Sequence, residues 1–290
     1  SVKSRGLGDV YKRQDMGVEG RLSKIEGNIL IVYSGFCTIV LVKLVQDKNF
    51  DSSEEGLIFY KSSNPFEFYH ILNSKECEEQ SMFGTLILPN EKKDTYPLVI
   101  CMHGSMGWRG HHHEHSVNFL NNGFAIFRVN SFDARQVTSI VEDQMQVTLA
   151  TVMTDCFNAL KILAKHPKID AAKIILAGWS LGGSSAIYSA WEPLAEKLAP
   201  EGERFAGHLA FYPGAFMWPE EMRWSNSPIL TLIGAEDDYT PASLIEELSL
   251  AINENGGCSK VITYPNSHHS FDSVDPVSYT HLTLPTILPV

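Results

Sequence analysis

The sequence predicts an α/β fold: a mainly parallel sheet with helices on both faces. Three observations carry that expectation. Short apolar runs recur at 85–88, 98–102, 124–129, 174–177, 208–211, 229–233 and 261–264, and strands buried on both faces read as unbroken apolar runs. Most of these runs are separated by segments with helical spacing, and strands alternating with helices imply parallel pairing. Loops rich in Ser, His and Asp follow several runs, where such sheets bind ligands beyond the carboxyl ends of their strands.

The two ends of the chain read differently from the middle. "DVYKRQ" (9–14) can be encoded by GAT GTG TAT AAG AGA CAG, and "VSYTH" (277–281) by GTC TCT TAT ACA CAT. The second string is the reverse complement of part of the first. That relation points to the inverted end of a transposase used to fragment DNA for sequencing, translated at both ends. Residues 1–14 and 277–290 are therefore set aside as adapter scars. Without them the charged residues are 19 Lys and Arg against 33 Asp and Glu, a formal charge of −14 in place of −11. Such acidity favours solubility and argues against a nucleic-acid surface, which needs clustered Lys and Arg.

Within the remainder, residues 15–50 form a leader and 51–276 one large domain. The leader carries "ILIVYSGFCTIVLV" (29–42), an apolar run preceded by Arg21 and Lys24. It is short for a membrane span and suits the central part of a secretory signal. Lys43 interrupts it before Leu44 and Val45, so an uncleaved anchor with membrane association is the variant reading, and an added edge strand or helix is the alternative. Export, or anchoring at the N-terminus, is the expectation. The cysteines (37, 77, 101, 156 and 258) show no C-x-x-C pair and no zinc-like set, and Cys101 and Cys156 read as core residues.

From the first strands onward, the loops carry the chemistry. "CMHGSMG" (101–107) follows the run at 98–102 and is suited to present backbone N–H groups to a developing oxyanion. Ser105 is the expected donor, with Met106 as the alternative and a possible substrate contact. His103 is expected to pin the loop. "RGHHHEHS" (109–116) sets His111 and His115 four residues apart, but no third zinc ligand is evident, so it reads as a polar loop leading into a helix at 115–121. Arg135 follows the next strand. It either holds a substrate carboxylate or pairs with Asp133 or another structural acid, and the structural role is preferred. A long helix is expected over 143–164, with Val147, Ala150, Val152, Met153, Phe157, Leu160 and Leu163 on its inner stripe.

"IILAGWSLGGSS" (174–185) is the sharpest feature. A buried strand, the G-x-S-x-G turn from Gly178 to Gly182, and a helix over 181–191 make the setting of a nucleophile elbow. Any Cβ at the flanking glycines would clash with the neighbouring helix and strand. Ser180 is thus a candidate nucleophile, with a helix-capping serine as the alternative, and the Leu181 N–H is the second oxyanion donor. "LIGAEDDYTP" (232–241) then supplies Glu236, Asp237 and Asp238 at a strand end, before a helix expected from Pro241 to Asn253. "YPNSHHSFD" (264–272) supplies His268 and His269 after the last strand. A serine, an acid and a histidine in this order, each after a strand, match the chain order of α/β-hydrolases.

From about Leu57 to Asp272 the chain resembles the dienelactone hydrolase family. "LIFYKSSNPFEF", "GTLILP", "YPLVICMHGSMG", "GFAIFRVNSFDAR", "HPKIDAAKIILAGWSLGGSSA", "FYPGA", "LIGAEDDYTPA" and "YPNSHHSFD" carry the likeness. The resemblance implies a sheet of about eight strands in an α/β-hydrolase fold, with Ser180 as nucleophile, Asp237 as acid and His269 as base. His268 would then support the loop, and Asp238 would serve the start of the following helix. The family's namesake enzymes carry a cysteine nucleophile where this chain has serine, which shifts the expectation from dienelactone to esters more generally. The expected activity is hydrolysis of a small carboxylic ester or lactone without metal or cofactor. Thioesterase or peptidase action on the same triad, or an inactive hydrolase-like binding protein, are the rivals.

Overall fold

The computed structural model describes residues 55–273 throughout and, before them, only the backbone of four short strands. These strands, β1 (Tyr11–Lys12), β2 (Glu19–Glu26), β3 (Ile29–Ser34) and β4 (Thr38–Lys43), form an antiparallel sheet of their own. Most of the apolar run 29–42 is therefore extended and paired, β3 against β4. The rest of the leader, residues 277–290, and all of 1–14 except Tyr11 and Lys12 lie outside the described residues. Among the described residues no helix is long and apolar enough to cross a membrane.

The main sheet has eight strands: β5 (Gly56–Ser63), β6 (Glu79–Ile87), β7 (Tyr96–Met102), β8 (Ala125–Val129), β9 (Ile169–Trp179), β10 (Gly207–Phe211), β11 (Ile229–Gly234) and β12 (Ser259–Tyr264). Their spatial order is β12-β11-β10-β9-β7-β8-β6-β5. The strands from β7 to β12 pair in parallel, and β6 is antiparallel to both β5 and β8. This is the expected α/β-hydrolase sheet. All seven predicted runs became strands; β5 adds the eighth.

The connections decide the layers. The short α1 (Phe68–Leu72) joins β5 to β6; β7 leads to β8 through α2 (Gly110–Asn121), whereas β8 leads back past β7 to β9 through α3 (Leu149–Leu163). Right-handed crossovers running in opposite directions put these helices on opposite faces. The later crossovers, through α4 (Leu181–Tyr188) and α5 (Glu192–Leu198) and then α6 (Ala242–Glu254), run the same way as that of α3 and cover the same face. Leu98, Ile100 and Met102 of β7 and Ile174, Leu176 and Trp179 of β9 are fully buried between the layers.

Several helix boundaries differ from expectation for local reasons. The helix expected from 143 begins at Leu149, where Thr148 accepts the Thr151 N–H at 3.3 Å and caps it. Asp143 instead accepts the Met145 N–H in a turn. α2 begins at Gly110 rather than 115, because the His112 imidazole accepts the Arg109 N–H at 3.0 Å and starts the helix early. The helix after Ser180 stops at Tyr188, and α5 follows as a separate piece with Pro193 in its first turn. Cys101 and Cys156 are buried core residues, and burial pushes the Cys101 thiol up to about 12.

Candidate active site

β7 lies between β8 and β9, so the chain leaves it in one direction and returns on the other. That reversal opens a crevice at the carboxyl edge of the sheet. The loops after β7, β9, β11 and β12 reach this edge. Ser180 follows β9 with φ 53° and ψ −112°, a conformation that non-glycine residues rarely hold. The backbone is over-determined there. Ser180 N–H donates to the Phe211 carbonyl at 2.9 Å on one side. A Cβ at Gly178 would lie 2.0 Å from the Gly182 carbonyl oxygen, and one at Gly182 would lie 2.2 Å from that of Met102. The glycines let β9, β7 and α4 close up around the serine.

Ser180 begins α4 but makes no capping bond with its side chain. Its hydroxyl instead lies 3.0 Å from His269 Nε2. His269 Nδ1–H donates to Asp237 Oδ2 at 2.8 Å, which leaves Nε2 as the acceptor facing the serine. The His269 and Asp237 side chains are buried, so this pair is shielded from competing water. Asp237 is held from behind: Oδ1 accepts the N–H groups of Tyr239 at 3.1 Å and Thr240 at 2.8 Å. The Thr240 hydroxyl lies 2.8 Å from Asp237 Oδ2 and 3.0 Å from His269 Nδ1. Thr240 thus supports the Asp237 carboxylate through both its N–H and its hydroxyl.

The remaining expected residues divide. His268 Nδ1 donates to the Glu236 carbonyl at 2.9 Å, a loop support. Asp238 is exposed, and α6 starts without any side-chain cap, so the expected role at the helix end is corrected. Pro241 itself occupies the N-cap position and leaves Asp238 a turn too far out. His103 is buried, and its Nδ1 donates to the Gly104 carbonyl at 2.9 Å; desolvation lowers its pKa to about 4, so it is a neutral loop pin. Ser105 and Leu181 both line the cavity in front of Ser180, whereas Met106 does not. A Gly104 Cβ would lie 3.3 Å from that of Ser180, so the loop after β7 runs directly against Ser180.

Arg135 turns away from the site. Its Nη1 and Nη2 donate to the two carboxylate oxygens of Asp155 at 2.7 and 3.0 Å, and its Nε donates to Asn64. Asp155 is fully buried and also accepts from the Ser62 and Ser131 hydroxyls. The preferred structural role of Arg135 is the one found, with Asp155 as the other acid in place of Asp133, and the alternative role of holding a substrate carboxylate is corrected.

The histidine-rich segment is helical rather than a polar loop: His111 and His112 pack inward, His115 is half-buried and His113 is exposed. His111 and His112 are buried, and desolvation pushes His112 down to about 2. His115 Nε2 donates to Asp272 at 2.9 Å. Among the described residues no group of three or more His, Cys, Asp or Glu is arranged to hold a metal. Asp272 also accepts from Tyr212 Oη at 2.8 Å and Trp179 Nε1 at 3.3 Å. Its burial raises the carboxyl pKa, but the bonds from His115 and Tyr212 outweigh that and hold it below the usual value. Sequence reasoning missed Asp272, whose partners come from three distant segments.

The cavity in front of Ser180 has a volume of about 420 Å³. The loop 136–148, the start of α3, the 214–217 segment and Tyr239 build most of its wall. Tyr239 also packs edge-on against His269, with ring centroids 5.0 Å apart, and so joins the pocket wall to that imidazole.

Comparison with known proteins agrees with this fold. Thermogutta terrifontis esterase 2, in a structure phosphorylated by paraoxon, superposes with a TM-score of 0.54 at 16% identity, covering 66% of this chain and 79% of that one. A dienelactone hydrolase-like promiscuous phosphotriesterase from metagenomic libraries gives 0.52 at 18% identity, covering 78% and 88%. Among curated proteins, an uncharacterized peptidase of Bacillus subtilis strain 168, YuxL, is 24% identical over 211 residues. That match takes in 62% of this chain, which spans only 32% of the relative's length. The model of the dienelactone hydrolase family matches residues 83–282, which include the elbow, the acid loop and the histidine loop. The chain belongs to the dienelactone hydrolase family, within the α/β-hydrolase superfamily.

Proposed function

We propose that this protein is a serine hydrolase that cleaves a carboxylic ester or lactone through an acyl-enzyme intermediate. The observation that carries the reading is the relay from Ser180 Oγ to His269 Nε2 at 3.0 Å and from His269 Nδ1 to Asp237 at 2.8 Å. His269 takes the serine proton as Oγ attacks the carbonyl carbon. The N–H groups of Leu181 and Ser105 stabilise the oxyanion. The tetrahedral intermediate collapses, and the departing alkoxide receives the proton from His269. Water, deprotonated by the same histidine, then attacks the acyl-enzyme and releases the acid.

Ser180→Ala should lower ester turnover by several orders of magnitude, with roughly 10³-fold residual acceleration over water, while the fold is kept. It should also abolish labelling by a fluorophosphonate probe. Turnover within tenfold of the parent would sink the assignment. The likeness to a relative named as a peptidase makes amide cleavage the second reading. Steady-state rates on ester, thioester and amide substrates of one acyl group separate the two, with the ester expected to have the highest kcat/KM.

A further inference from the structure

We propose, resting on the esterase reading above, that the substrate group filling the 420 Å³ cavity is uncharged and apolar, and that the site selects against esters bearing a carboxylate. The wall decides this. Ile140, Met145, Leu149, Phe216, Met217 and Tyr239 make its apolar surface, and among the described residues lining it none is Lys, Arg, His, Asp or Glu. Its polar members, such as Gln144 and Thr148, are neutral. Arg135 is the cation that the sequence set nearest the site, and its fork is spent on Asp155 with both carboxylate oxygens engaged. Its side chain is only 8% exposed. Drawing it toward a substrate would leave Asp155 buried and unpaired, a strongly unfavourable exchange.

A substrate carboxylate in this cavity would therefore lose water and gain no counter-charge. An alkyl or aryl group loses only unfavourable hydration. The apolar wall continues to the surface, because Met145 is 60% and Phe216 67% exposed. Gln144 Nε2 donates to the Tyr239 hydroxyl at 2.9 Å, which ties the loop 136–148 to the acid loop. Met145 and Phe216, uncharged and exposed at the mouth, are thus the positions where an added charge would change which substrates enter.

Two matched pairs test the proposal: ethyl hexanoate against monoethyl adipate, and butyl acetate against 4-acetoxybutanoate, followed by pH-stat with the parent protein. The uncharged member should have the higher kcat/KM by about 100-fold in at least one pair, as an unpaired buried charge requires. Met145→Arg or Phe216→Arg, at exposed positions that leave the core intact, should narrow that gap about tenfold by supplying a counter-charge. Anionic members within threefold of their neutral partners in both pairs would overturn the inference while leaving the esterase reading standing. A gap that neither arginine variant narrows, with both variants folded, would also overturn it. No Ser180-dependent hydrolysis of either neutral ester would overturn the esterase reading and the inference with it.

Discussion

Two adjacent aspartates follow β11, and only one faces the histidine. Asp237 is buried, accepts His269 Nδ1–H and is fixed by two backbone N–H groups, whereas the neighbouring side chain of Asp238 points to solvent. Asp237→Asn keeps the shape but presents an amide N–H to Nδ1, so the imidazole is held in the wrong tautomer. Turnover should fall by about 10⁴-fold, the size of the same change in serine proteases. Asp238→Asn should leave turnover at the parental rate and shift stability by no more than about 0.5 kcal/mol, as for a surface position without partners. Steady-state kinetics on both purified variants, with folding checked by circular dichroism, decides the matter. An inactive Asp238 variant beside an active Asp237 variant would reverse the assignment. The choice of Asp237 came from the family resemblance, because spacing alone places both aspartates between the strand end and Pro241. The support from Thr240 came from neither, since it depends on how the turn folds back.

At the scale of elements, Asp272 ties three of them together. His115 on α2, Trp179 at the end of β9 and Tyr212 just after β10 all donate to its carboxylate. Trp179 directly precedes Ser180, and the Tyr212 ring packs edge-on against His269 with centroids 4.8 Å apart. The tie therefore braces the neighbours of both Ser180 and His269. Asp272→Asn removes the charge and replaces one acceptor oxygen with a donor. It should cost about 1–3 kcal/mol, the penalty for leaving a buried polar group without its partner. The urea midpoint measures this, and an unchanged midpoint would show that the three donors are satisfied without the carboxylate. The sequence showed that a histidine-rich segment precedes a helix and that an aspartate ends the histidine loop. Nothing in their spacing linked them, 157 positions apart.

For the whole molecule, the buried histidines set the acid limit. Desolvation lowers His103 and His208 each to about 4 and His112 to about 2. In the unfolded chain these imidazoles take a proton near pH 6.5, whereas the folded ones stay neutral. Between those values the unfolded state binds more protons, so stability is fully present above about pH 6.5 and falls as the pH drops toward 4. Each of the two fully buried histidines at 4 contributes on the order of 3 kcal/mol to that loss. Asp272, held below its ordinary value, loses its contribution at still lower pH. Urea unfolding at pH 7.0 and pH 5.0 should show a clearly lower free energy at pH 5.0. Equal values would mean that these imidazoles are solvated enough to titrate normally in the folded state.

Continuous apolar runs, the glycines around Ser180 and the order of serine, acid and histidine are local or ordinal properties of the chain. They determine the parallel sheet, the elbow and the chain order of the relay, because a strand covered on both faces and a turn without room for a Cβ each leave a direct mark in sequence. The same reasoning stopped short at helix starts, where single capping bonds from Thr148 and His112 moved the boundary by five or six residues. Only the tertiary structure decided that Arg135 pairs with Asp155, that Asp272 ties α2 to the ends of β9 and β10, and that the described residues of the cavity wall are neutral. Each of these depends on side chains from separated segments meeting in a low-dielectric interior. Which charge finds a partner there is settled by geometry and desolvation, and neither has a period along the chain.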